Sequence, residues 1–116
     1  MFVVIPAYNE EKHIAPVVRG VFASNPGAQV VVVDDGSSDK TARLAKESGA
    51  IVLRHIINRG QGAALETGNQ YALRAGAEVI VHFDADGQFE PGEISSLVAP
   101  IERGEAEVKE VHFSES

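Results

Sequence analysis

Asp84-Ala85-Asp86 closes the apolar run Val79-Ile80-Val81-His82-Phe83. In an extended segment residues i and i+2 point to the same side, so this strand delivers both carboxylates to one place at its C-terminal end. Two hard anionic donors suit one divalent cation, Mg2+ or Mn2+, and Gln88 is near enough in the chain to add a neutral oxygen. A cation held by so few protein oxygens keeps coordination positions for phosphate oxygens, as a bound nucleotide diphosphate requires. The competing account makes Asp84 and Asp86 ordinary turn residues ahead of Gly87. The other polar clusters of the chain favour the first.

Two of those clusters lie at similar places. Asp34-Asp35-Gly36-Ser37-Ser38-Asp39 follows the apolar run Val30-Val31-Val32-Val33. Gly36 permits a tight turn, and Ser38 or Asp39 can cap a following helix. Turn chemistry leaves two consecutive acids unexplained, and a carboxylate there can accept an imide N–H from a base or hydroxyls from a ribose. Asn58-Arg59-Gly60-Gln61-Gly62-Ala63-Ala64 precedes a helical stretch. Its glycines let backbone approach a ligand, and a helix N-terminus favours anions, though an ordinary loop would look similar. Arg59 suits a phosphate or a surface role equally. The segment lacks the Gly-Lys-Ser/Thr ending of a Walker loop, and no Gly-x-Gly-x-x-Gly follows the first strand.

The elements that must position these residues alternate. Phe2–Ile5, Gln29–Val33, Ala50–Leu53 and Val79–Phe83 read as strands buried on both faces. Ile14, Val17, Val18, Val21 and Phe22 form one helical face, with Asn9 as its expected N-cap and Glu10 and Glu11 in its first turn. A second helix should run from Ser38 or Asp39 to just before Gly49. A third, from about Gly62 to Ala75, carries Ala64, Gly68 and Ala72 as a small-residue stripe suited to close packing on a sheet. A fourth should begin at Pro91, show Ile94, Leu97, Val98 and Ile101 on one face, and stop or kink at Pro100. Strands alternating with helices predict an α/β fold with a mainly parallel sheet covered on both sides. In such sheets ligands bind beyond the carboxyl ends of the strands, where the acidic segments Pro6-Ala7-Tyr8-Asn9-Glu10, Asp34-Asp35-Gly36-Ser37 and Asp84-Ala85-Asp86 all fall.

At 116 residues the chain has room for one domain. Its 44% apolar and 23% charged residues are those of a globular protein, and a net charge of −7 argues against a nucleic-acid partner. There is no cysteine, which excludes disulfides and thiolate metal sites. His13, His55, His82 and His112 have no ligand spacing and read as core or surface residues. No segment is long enough to span a membrane, and Met1–Ile5 reaches Pro6 without a basic region, unlike a signal peptide. The expected location is the cytoplasm.

In order and approximate spacing, Pro6-Ala7-Tyr8-Asn9-Glu10, Asp34-Asp35-Gly36-Ser37-Ser38-Asp39, Asn58-Arg59-Gly60-Gln61-Gly62 and Asp84-Ala85-Asp86-Gly87-Gln88 resemble the family 2 glycosyltransferases. The likeness is strongest to the dolichol-phosphate mannose synthase-like and polyprenyl-phosphate sugar transferase branch. It implies the GT-A fold, a Rossmann-like three-layer α/β/α arrangement, and inverting transfer of a sugar from a nucleotide diphosphate donor. It further implies that Pro6, Ala7, Tyr8 and Glu10 line the nucleoside, with Glu10 near the ribose. Asp35 would recognise the base with Asp34 beside it, and Gly60, Gly62 and Ala63 would leave room for the nucleotide. Asp84 and Ala85 would meet the nucleotide, and Asp84, Asp86 and Gln88 would form the metal site for Mg2+ or Mn2+. The implied partners are a UDP- or GDP-linked sugar and, through Gln88, a polyprenyl phosphate acceptor, which would bring the protein to the membrane face.

The likeness covers residues 1–105 as the nucleotide-sugar-binding half of such a domain, leaving 106–116 as an atypical tail able to form an edge strand through Val111 and Phe113. The acceptor site and general base are expected in a further half, so no catalytic residue is assigned and turnover by these residues alone is not expected. The alternative is a non-catalytic nucleotide-binding module, or one that oligomerises through an exposed sheet edge. A phosphoacceptor domain would need its acidic pair after the first strand. A sugar nucleotidyltransferase would need a Gly-rich, Arg-containing loop where Pro6-Ala7-Tyr8-Asn9-Glu10 stands.

Overall fold

A computed structural model of the chain describes residues 1–85 and the strand at 109–113. The elements are β1 (Phe2–Ala7), α1 (Ile14–Ser24), β2 (Gln29–Asp35), α2 (Thr41–Glu47), β3 (Ile51–His55), α3 (Gln61–Arg74), β4 (Val79–Phe83) and β5 (Lys109–Phe113). The helix expected from Pro91 lies outside the described residues, as do Asp86 and Gln88.

The strands form one parallel sheet in the order β3-β2-β1-β4-β5. Alternation along each strand sends side chains to opposite faces. Val3, Ile5, Val30 and Val32 meet Ile14, Val17, Val18 and Val21 of α1 and Ala45 of α2 on one face. Phe2, Val4, Val31, Val33 and Ile80 lie under Ala64 and Ala72 of α3 on the other. Strands covered on both sides must be apolar at nearly every position, which is why these runs lack a polar alternate. The small-residue stripe lowers α3 onto the sheet: a Cβ on Gly68 would run into Val4 Cγ1 and come within 3.2 Å of Val33 Cγ2.

The start of α1 differs from the expectation. The helix begins at Ile14 with no side-chain cap and no acid in its first turn. Ahead of it the Glu10 carbonyl accepts the amides of His13 and Ile14, closing a separate turn. Asn9 has φ 52°, a left-handed backbone that asparagine tolerates. Its Oδ1 accepts the Ser38 amide at 2.9 Å, so its side chain reaches across to the next loop instead of back to α1. α2 also starts later than expected, at Thr41, with Lys40 at its N-cap position and no side-chain cap; Asp39 Oδ1 accepts the Thr41 amide at 2.9 Å from one residue farther out.

Candidate functional site

Chain direction across the sheet reverses beside β1: β2 and β3 lie to one side, β4 and β5 to the other. α1 covers one face of the sheet and α3 the other, and a crevice opens at that switch point, beyond the carboxyl ends of the strands. A cavity of about 310 Å3 occupies it. Pro6, Ala7, Tyr8 and Glu10 line it from the end of β1, Asp84 and Ala85 from the end of β4, and Asp35 from the end of β2. Asn58, Gly60, Gln61 and Ala64 close it from the β3–α3 loop and the first turn of α3.

Among the described residues, most of those implied by the resemblance are thus brought to one cavity, and three are not. Asp34, Gly62 and Ala63 are not among its lining residues. Consecutive strand residues face opposite ways, so Asp35 and Asp34 cannot both look into the crevice. Asp34 is fully buried, with Oδ1 accepting the Ser37 amide at 3.0 Å and Oδ2 lying 3.2 Å from the exposed Arg54 Nε. Asn58, Gln61 and Ala64 line the cavity although the resemblance did not single them out. Gln61 and Ala64 share a helix face at i, i+3, a signal that becomes usable once the start of α3 is known.

Asp35 organises the floor. Its Oδ1 accepts the Arg59 amide at 2.8 Å and lies 2.7 Å from His55 Nδ1, while Oδ2 accepts the Gly60 amide at 2.8 Å. Burial opposes its charge, but the donors from Arg59, His55 and Gly60 outweigh that, and its carboxyl is held below the ordinary value. The β1 loop is tied down just as directly. The Asn9 amide donates to Ser37 Oγ and the Glu10 amide to Thr41 Oγ1, each at 2.9 Å, and the Glu11 amide donates to Asp39 Oδ2 at 3.2 Å. These cross-loop bonds fix Tyr8 and Glu10 at the cavity mouth.

Asp39 is also held below its ordinary value, since the Thr41 hydroxyl and amide and the Glu11 amide outweigh its burial. A carboxyl whose folded pKa is depressed stabilises the fold above its unfolded value, about 4, and loses that contribution as pH falls through the folded value. The melting temperature should therefore be flat near neutrality and fall below about pH 4. Asp39→Asn should show a shallower fall between pH 5 and pH 3 in circular-dichroism melts. An unchanged slope would show that Asp39 is not one of the groups responsible.

Among the described residues no three His, Asp or Glu side chains gather as a metal cluster. Asp84 belongs to the expected metal set and lines the cavity. Its carboxylate is the donor type that Mg2+ and Mn2+ take, so the residue fits such an ion. The oxygens of Asp35, by contrast, are engaged by amides and His55.

A family model described as Glycosyl transferase family 2 matches residues 2–109. The chain is 36% identical to UDP-N-acetylglucosamine–dolichyl-phosphate N-acetylglucosaminyltransferase of Methanococcus voltae, over 87% of this chain and 47% of that protein. It is 37% identical to polyprenol monophosphomannose synthase of Mycolicibacterium smegmatis, over 88% of this chain and 41% of that protein. Glucosyl-3-phosphoglycerate synthase from Mycobacterium tuberculosis, solved in complex with Mn2+, UDP-glucose and phosphoglyceric acid, superposes with a TM-score of 0.69 at 30% identity. That match covers 90% of this chain and 39% of the synthase. The chain spans less than half the length of these curated relatives.

Proposed function

Because the chain belongs to glycosyl transferase family 2, and its α/β fold is of the GT-A kind, we propose that residues 1–105 form the donor-binding half of an inverting, metal-dependent glycosyltransferase. The donor is a UDP- or GDP-linked sugar and the acceptor a polyprenyl phosphate, the acceptor class named for two of the relatives. One observation carries this reading: the cavity at the sheet's switch point has Asp35 in its floor and Asp84 at its β4 wall. Those walls suit the two ends of a nucleotide diphosphate.

Asp35, kept ionised and fixed, accepts an N–H from the base. Glu10 meets the ribose, and Tyr8 supplies a ring face at the mouth. Asp84, with Asp86 and Gln88, would hold the cation. Mg2+ or Mn2+ there would neutralise the leaving diphosphate as a Lewis acid. A lipid acceptor would bring the site to a membrane surface, although no helix among the described residues is long and apolar enough to cross one.

Isothermal titration of the chain with UDP and with GDP, with and without Mn2+, tests the proposal. One of the two nucleotides should bind only with Mn2+, and Asp84→Ala should weaken that binding by about tenfold or more. Binding that is indifferent to Mn2+ and to Asp84→Ala would remove the metal from the account.

A further inference from the structure

His55 has no part in the reading above, yet it is one of the few polar side chains buried in the described fold. It ends β3 exactly where Asp35 ends β2, and the two are direct partners in the parallel register. Its side chain is 6% exposed and that of Asp35 5%. A carboxylate in this state only accepts, so Nδ1 is the donor in the 2.7 Å contact. On the other edge of the ring, Nε2 lies 2.8 Å from Thr67 Oγ1 on α3, and that hydroxyl also bonds the Ala63 carbonyl at 3.0 Å. The imidazole is therefore gripped at both nitrogens, by a strand on one side and a helix on the other, and cannot turn without breaking a buried bond.

The acceptor capacity of Asp35 shows what this grip does. A carboxylate offers about four lone-pair positions. Two on Oδ1 are filled by His55 Nδ1 and the Arg59 amide, and one on Oδ2 by the Gly60 amide. The position left over is on Oδ2, and Asp35 lines the cavity.

We infer that His55 is a positioning residue for base selection: it anchors Oδ1 so that the remaining acceptor position of Asp35 Oδ2 is presented to the cavity. The inference rests on the proposal that the cavity takes a nucleotide. A fixed, anionic acceptor selects bases with an imide-type N–H, uracil or guanine. It rejects cytosine and adenine, whose corresponding ring nitrogen is itself an acceptor. Without the His55 bond the carboxylate is held only by the Arg59 and Gly60 amides of one loop and can tilt with that loop, and the discrimination relaxes even where the phosphates still bind.

The test is a ratio of affinities, measured by titration calorimetry on the 116-residue chain with Mn2+: UDP against CDP, and GDP against ADP. The unsubstituted chain should favour UDP or GDP over its counterpart by about tenfold or more, the usual effect of a hydrogen bond to a charged group. His55→Gln carries its amide toward the Thr67 end and leaves Asp35 held only by the two loop amides of Arg59 and Gly60, so the ratio should fall toward one. His55→Asn places an amide N–H where Nδ1 stood and should restore most of the ratio. A merely structural role would lower all four affinities together and leave the ratios alone. A folded His55→Gln chain that still discriminates as the unsubstituted chain does would overturn the inference while leaving the nucleotide site intact. If His55→Gln does not fold, Thr67→Val takes its place: it frees the Nε2 edge and should reduce the ratio by about threefold. An unchanged ratio in that folded variant overturns the inference equally. Absence of nucleotide binding or of discrimination in the unsubstituted chain would overturn the underlying reading, a failure visible before any variant is made.

Discussion

Asp35→Ala is expected to lower the stability of the chain by about 3 kcal/mol and to abolish nucleotide binding, the largest effect of any single substitution at the site. The substitution strands three donors at once: the Arg59 and Gly60 amides and His55 Nδ1, each within 2.8 Å of the carboxylate. Leaving a buried donor without its partner is costlier than the net worth of the bond, and this acceptor is charged. Asp35→Asn should be milder in stability, about 1–2 kcal/mol, because one oxygen remains to accept while the new amide nitrogen faces the Gly60 N–H. Urea unfolding followed by circular dichroism measures both. An Asp35→Ala chain as stable as the original would show that the β3–α3 loop does not depend on this carboxylate.

The second large effect belongs to Gly36, which sits beside Asp35 with φ at +78°. A side chain there is strained by about 1–2 kcal/mol from the left-handed backbone alone. The added Cβ would also stand 2.5 Å from the Asn58 nitrogen and 2.6 Å from the Ile57 carbonyl carbon, both main-chain atoms. Backbone cannot swing aside as a side-chain tip can, so overpacking adds about 1–3 kcal/mol. Gly36→Ala should therefore destabilise by about 3 kcal/mol in total. It should also weaken nucleotide binding, since the loop it displaces carries Asn58 and Gly60 of the cavity wall. Gly62 offers the contrast. It is helical, and a Cβ there would meet nothing within 4 Å. Gly62→Ala should raise stability by about 0.5 kcal/mol. Equal losses from the two substitutions would mean that close approach at Gly36 is not what the loop requires.

The strands were legible because a sheet covered on both faces leaves its apolar runs unbroken. Phe2, Val30 and Val79 begin or sit within runs that need no partner to be recognised. The acidic clusters were legible for a related reason, since they end those runs at one rim. Bonds between loops were not. Asn9 looks like a helix cap in sequence, but its bond to Ser38 spans 29 residues, and the tie from Glu10 to Thr41 spans 31. Nothing in a local pattern announces a partner at that distance. His55 shows no ligand spacing in sequence, and its partner is a carboxylate on the neighbouring strand. The register pairs Asp35 with His55 because β2 and β3 each continue two residues beyond the apolar runs that end at Val33 and Leu53. Asp34 is the opposite case: it is adjacent to Asp35 in the chain, but the alternation of the strand turns the two carboxylates to opposite sides.

The measurement that bears most directly on the central claim is an amide-resolved NMR titration of the chain with UDP and with GDP in the presence of Mg2+. The account predicts saturable shifts confined to the cavity wall, at Ala7, Tyr8, Glu10, Asp35, Asn58, Gly60, Gln61, Asp84 and Ala85. The amides of the far end of the sheet, such as Phe2, Gln29 and Val79, should stay still. A folded chain whose spectrum ignores both nucleotides, or whose shifts gather away from the carboxyl ends of β1, β2 and β4, would contradict it.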